Sequence, residues 1–195
     1  MDKQQQNKID ELQKIDLLHS KEWLNYWQEY SSFSHWQFWV VLALLIIPLI
    51  FLLIFINKRK ALLLCFYGYN VHVFFTYVDV FGASKAYWFY PYKVLPILPA
   101  SFTLDVSFVP VTYILWYQWI LKHNKNYYLY MFVLSLIFAF IFKPLLVAAE
   151  FFQLNRGANF FHLFIGYYVI AICSKLVTNL FVYLQNLSKN HHREG

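Results

Sequence analysis

Residues 40–56 read VVLALLIIPLIFLLIFI, an unbroken apolar run. Extended back to His35 by aromatic residues, it approaches the ~20 residues that an α-helix needs to cross the hydrocarbon core of a bilayer. Four further stretches of similar character follow it. The sequence therefore predicts spans over His35–Ile56, Ala61–Phe81, Ile97–Leu121, Tyr127–Phe152 and Asn159–Leu184. Helices are the only form available, because no alternating ten-residue pattern of a membrane β-barrel occurs. The first and second spans, and the third and fourth, are separated by only a few residues, which predicts antiparallel hairpins. Pro48, Pro110 and Pro144 fall inside spans and Pro99 near the start of one. No period of 20–50 residues repeats.

The expected fold class is thus all-α, an integral membrane bundle of five transmembrane helices preceded by an amphipathic N-terminal helix. Three parts follow: an arm over 1–35, the bundle over 36–187 and a cytoplasmic tail over 188–195. Composition agrees. Of 195 residues, 60% are hydrophobic and 13% charged, against roughly half and a quarter in soluble domains. In the arm, Ile9, Leu12, Ile15 and Leu18 recur at helical spacing and Trp23, Trp27 and Tyr30 continue an apolar face, as in an interfacial helix. The arm is too long and polar for a secretory signal peptide.

The net charge of +6 does not indicate a nucleic-acid surface, since the cations sit in short runs beside the spans. Lys58, Arg59, Lys60, Lys122 and Lys125, with Lys189 and Arg193 of the tail, fall on one side. Lys85, Lys93 and Arg156 fall on the other. The richer side is expected to be cytoplasmic, placing the N-terminus outside and the C-terminus inside. Membrane lipids are the expected partners, with a homo-oligomer or a larger membrane complex also open. Cys65 and Cys173 fall inside different spans at different depths, so both read as packing residues rather than a disulfide. The loop Gly82–Pro96, GASKAYWFYPYKVLP, is rich in aromatic residues and proline. Its composition favours an aromatic belt at the outer headgroups over a lid across a cavity.

Ionisable residues inside spans are costly, so they carry most of the information. Tyr69, His72, Thr76 and Asp79 fall along one stripe of the second span, with Asn70 beside it. Ser101 and Asp105 share a face of the third, Lys143 and Glu150 a face of the fourth, and Lys175 and Asn179 a face of the fifth. Counting helical rise places Asp105 and Lys143 both about 12 Å below the outer surface. Matched depth and opposite charge predict a buried ion pair, with Asp79, Glu150 and Arg156 around its mouth. Such a pair either fixes helix register or serves a site. Lys175 is expected either to snorkel part of the way to the cytoplasmic end or to pair with Asn70 or a tyrosine, in preference to Schiff-base chemistry. His72 has no second histidine at metal-ligand spacing, and no hydrolase or nucleotide motif occurs. No metal, cofactor or catalytic residue is called, and an enzyme is the less favoured class.

The run WFYPYKVLPILPASFTLDVSFVPVTYILWYQW over 88–119, FKPLL over 142–146 and NRGANFF over 155–161 resemble an uncharacterised family of small multi-spanning membrane proteins of spore-forming Gram-positive bacteria. The resemblance covers about Asn57 to Leu184, with Pro99, Asp105, Pro110, Lys143 and Pro144 on its pattern. It implies a bacterial cytoplasmic membrane and carries no activity with it. Three functions stay open. The first is a membrane protein binding a lipid-like or small ligand in its buried polar cluster, or acting as an accessory subunit. The second is an oligomeric transporter or channel for a proton, ion or small solute. The third is an intramembrane lipid or isoprenoid enzyme.

Overall fold

Prolines shape this helical chain more than any other residue type. The computed structural model describes residues 2–96 and 98–191, and side chains as far as residue 187. Its helices are α1 (Lys3–Tyr30), α2 (Trp36–Phe55), α3 (Ala61–Ser84), α4 (Val109–Lys122), α5 (Tyr127–Ile137), α6 (Lys143–Ala148) and α7 (Phe160–His191). A 3₁₀ turn, Lys58–Lys60, leads into α3. Two widened π-helical segments, Leu104–Phe108 and Phe138–Phe142, run straight into α4 and α6. Each ends just before a proline, Pro110 or Pro144. A proline ring clashes with the carbonyl four residues back and donates no N–H, so the helix widens locally instead of breaking.

Four helical stretches are long and apolar enough to cross a membrane: Trp36–Phe55, Lys58–Ser84, Tyr127–Ala148 and Phe160–Leu187. The sequence reading of five comparably apolar spans is corrected at its third, which is not among these four. Helical backbone there begins at Phe102, not Ile97, and continues to Lys122. It carries Asp105, Ser107, Thr112 and Gln118, so it lacks the apolarity of the others. The reason is its position. It packs against both α2 and α3, and Val109, Tyr113, Tyr117 and Ile120 are all buried. A helix shielded by its neighbours has no lipid to satisfy.

The bundle has two distinguishable ends. At the basic end, the Gln118 side chain donates to the Phe55 carbonyl at 2.9 Å and accepts from the Asn57 N–H at 2.6 Å. At the loop end, two short strands pair antiparallel: β1 (Trp88–Phe89) against β2 (Gln153–Leu154), with Trp88 opposite Leu154. Trp36 meets Phe151 edge-on at that same end. Consequently α3 and the α5–α6 stretch both run from the basic end to the loop end, and residues 102–122 return between them.

Several boundaries and placements differ from the sequence reading. The loop is shorter than expected, because α3 continues to Ser84. It also holds a strand that no propensity argument foresaw. It does not lie flat as a belt: Tyr90 and Lys93 are 2% and 3% exposed, folded in over the end of the bundle. Cys65 is exposed and Cys173 half-buried, so Cys65 packs nothing. The expected tail over 188–195 is continuous with α7 as far as His191, while His192 and Arg193 lie outside the described residues.

The arm is a single helix, and its last turns dock on the loop. The Trp23 ring stacks on Phe89 at 5.1 Å between centroids. Trp27 Nε1 donates to the Lys93 carbonyl at 2.8 Å.

Helices α3 and α4 approach closely at Gly68, where an added Cβ would overlap the Ile114 side chain. At Gly166 of α7 an added Cβ would meet open space. Gly68→Ala should therefore destabilise by about 1–3 kcal/mol through overpacking. Gly166→Ala should stay within about 1 kcal/mol of wild type, since alanine is the better helix former. Thermal melting in mild detergent compares the two, and equal behaviour would contradict the packing described.

Candidate functional site

The charged residues of the interior gather under the inturned loop. Asp79, on the buried face of α3 that also carries Tyr67, Val71 and Phe75, accepts three hydrogen bonds. Trp88 Nε1 donates to its Oδ1 at 2.8 Å, the Tyr90 hydroxyl to the same oxygen at 2.7 Å, and the Ser101 N–H to Oδ2 at 3.1 Å. One carboxylate thus ties α3 to the loop and to the approach to the fourth helix. Gly82 permits this, because a Cβ there would overlap the Trp88 indole.

Lys143, at the start of α6, is 1% exposed. Its Nζ donates to the Tyr90 hydroxyl at 3.0 Å and stands 3.6 Å above the centre of the Phe152 ring. A cation over an aromatic face is held electrostatically by the ring quadrupole. Amine, phenol and carboxylate form one run: Lys143 to Tyr90 to Asp79.

Asp105 is also 1% exposed, yet neither of its carboxyl oxygens meets a donor. Asp79, Lys143 and Lys93 act on it through charge. The predicted Asp105–Lys143 ion pair is therefore corrected. Among the described residues the single salt bridge is Lys8–Glu11. Depth was matched, but the amine is taken by Tyr90, a loop residue that no count of helical rise could place.

His72 serves Asp105 through the backbone. The Val109 N–H bonds to the Leu104 carbonyl across the widened turn, and Pro110 has no N–H. The Asp105 carbonyl is left without a helical partner. His72 Nδ1 lies 2.8 Å from it and, facing an acceptor, carries the hydrogen. Thr76 Oγ1 is 3.3 Å from the same nitrogen.

Other predicted members fall elsewhere. Tyr69 is 62% exposed, although its ring lies 6.5 Å from that of His72. Glu150 and Arg156 are exposed, and Arg156 donates to the Lys85 carbonyl, tying loops together rather than ringing the cluster. Their left-handed backbones, φ 64° and 52°, belong to turns around β2. Lys175 Nζ donates to the Tyr117 hydroxyl at 2.6 Å, so the tyrosine alternative holds. Asn70 instead reaches Thr178 Oγ1 at 3.5 Å, and Asn179 is exposed.

Sequence reasoning missed Tyr90, Trp88, Tyr167 and Lys93. Tyr167 is buried with an unpartnered hydroxyl and stacks on Phe75. A cavity of about 40 Å³ opens between α3 and α7, lined by Asp79, Lys143, Tyr167 and Gly166. It has room for a water or a small polar group. No group of three or more His, Cys, Asp or Glu side chains able to hold a metal occurs among the described residues. Compared with protein-family models, curated proteins and solved structures, the chain matches none.

Lys93 lies in the loop, outside the candidate spans. Its Nζ donates to the Leu98 and Pro99 carbonyls, both at 2.8 Å, and sits 3.7 Å from the centre of the Trp23 ring. Burial lowers its pKa from 10.5 to about 8, against the opposing pull of Asp79 and Asp105. Between those two values the unfolded chain binds more protons than the folded one. The lysine's contribution to stability therefore rises with pH across that window and is flat below it. The melting temperature of wild type should gain on that of Lys93→Met between pH 8 and pH 10. A constant gap would contradict the assignment.

Proposed function

We propose that the chain is a small polytopic membrane protein that binds a lipid-like ligand by a hydrogen-bond-donating head. The observation that carries this reading is Asp105, a buried carboxyl group whose oxygens have no donor of their own. An unsatisfied buried acceptor is costly, and a ligand hydroxyl or amine would meet that cost. The crevice beside Gly166 is lined by Asp79, Lys143 and Tyr167, whose hydroxyl is likewise unpartnered, though not by Asp105 itself, and its volume of about 40 Å³ suits a single small polar group. A bulky headgroup would not enter. The ligand's tail would lie outside, along the open face at Gly166.

Native mass spectrometry in mild detergent tests this. Wild type should retain a defined lipid-like molecule. Gly166→Leu, which fills the crevice mouth, and Asp105→Asn should each lose it while keeping their helicity. No retained molecule, or equal retention by Gly166→Leu, would overturn the reading. The hydrogen-bonded run from Lys143 through Tyr90 to Asp79 favours a second reading, a proton relay. That reading requires proton flux in liposomes which Asp105→Asn abolishes.

The topology belongs to the same proposal. Because α3 and the α5–α6 stretch run in the same direction, residues 102–122 serve as a fifth, shielded crossing. The loop end, with the docked arm, faces outward and the basic end faces the cytoplasm. In a background with Cys65 and Cys173 replaced by alanine, Ser34→Cys should react with an impermeant maleimide on intact cells. Lys125→Cys should react only after permeabilisation. Three crossings separate the two positions. Labelling of both from one side would remove the fifth crossing, and the reverse pattern would invert the orientation.

A further inference from the structure

Among the described residues, the cations at the basic end of the bundle have no carboxylate to meet. Lys58, Arg59 and Lys60 precede α3, Lys122 ends α4 and Lys125 follows it. Among the described residues every acid lies elsewhere. Six are on the arm, from Asp2 to Glu29, and Asp79, Asp105 and Glu150 lie toward the loop end. The described residues supply no counter-charge for the basic end.

Two of those cations, Lys60 and Lys122, border a cavity. It measures about 470 Å³ and lies where the turn between α2 and α3 meets the last residues of α4. That volume falls within the range of about 300–1,000 Å³ usual for small-molecule sites. Its lining divides by character. Phe55, Leu64 and Leu121 form an apolar part, while Lys60, Lys122 and Asn57 form a polar one.

The walls are braced before any ligand arrives. Gln118 clamps α4 to the turn through its bonds with Phe55 and Asn57. The Asn57 side chain accepts from the Arg59 N–H at 3.0 Å, setting the turn that carries Lys60. An isolated phosphate would use the lysines and leave the apolar part bare. A phospholipid uses both.

We propose that this cavity seats the headgroup of an anionic phospholipid. Lys60 and Lys122 take the phosphate oxygens, and an acyl chain lies against Phe55 and Leu121. The site is separate from the Asp105 cluster at the loop end, so either proposal can fail without the other. A lysine beside an anionic headgroup contributes about a fivefold gain in affinity.

The test uses delipidated full-length protein in mild detergent. It is titrated with phosphatidylglycerol, phosphatidylcholine or inorganic phosphate, and read by native mass spectrometry and thermal melting. Phosphatidylglycerol should bind and raise the melting temperature. Phosphatidylcholine should do so weakly, and inorganic phosphate at the same concentration should not. The Lys60→Gln/Lys122→Gln variant should weaken phosphatidylglycerol binding by about 25-fold, from the two lysines together.

Lys60→Arg/Lys122→Arg, which keeps both charges, should retain most of that binding and reports on folding at the same positions. Lys3→Gln/Lys14→Gln, on the arm, should leave it unchanged. Equal binding of the two lipids would overturn the proposal. So would wild-type affinity in the Lys60→Gln/Lys122→Gln variant. Stabilisation by inorganic phosphate alone would mark a free-phosphate site instead, and would also overturn it.

Discussion

A missing N–H at Pro110, and its counterpart at Pro144, is the constraint on which the interior depends. Neither proline can continue the hydrogen-bond ladder, and neither helix breaks. Instead the backbone widens for about one turn ahead of each. Asp105 lies inside the first widened turn, and Lys143 directly follows the second. The two buried charges most expensive to place in an apolar interior thus sit where the helix is least regular. The same distortion strips the Asp105 carbonyl of its helical partner, and His72 of α3 supplies a replacement. Backbone geometry and polar contacts are therefore two sides of one arrangement.

The two aspartates show how far environment separates identical side chains. Asp79 has three donors and acts as a structural anchor for the loop. Asp105 has none and faces its neighbour's carboxyl group. A buried acceptor without a donor is what a binding or proton-carrying group looks like before its partner arrives. Tyr90 mediates between the charges, accepting from Lys143 and donating to Asp79. It comes from the loop, so the loop is part of the interior and not an ornament at its rim. Docking of Trp23 and Trp27 then connects the arm to that same loop.

Much of this could be read in the chain itself. Length and apolarity located the helices to within a few residues, and the absence of alternation ruled out strands as spanning elements. Asp79, Asp105 and Lys143 stood out because charge is rare in such surroundings, and all three are buried. The third predicted span was harder. Its polar residues are tolerated only because neighbouring helices cover them, which depends on packing order. The partner of Lys143 was misjudged for a related reason: helical rise gives depth, but it says nothing about a loop folding inward. Glu150 and Arg156 looked like members of the cluster by depth and proved to be turn residues, one of them holding a loop carbonyl.

What the sequence determined by itself was the helical class, the approximate bounds of the helices and the identity of the costly charges. Those follow from local composition, because each residue's preference for lipid or water acts wherever the chain puts it. The tertiary structure decided which charges meet. It set Tyr90 between an amine and a carboxylate, left Asp105 without a donor and turned a presumed belt into a cover. Contacts between residues far apart in the chain are not encoded in the periodicity of either segment. They are chosen when helices pack, and here the packing turns on two prolines and on Gly68, which lets α3 and α4 approach closely.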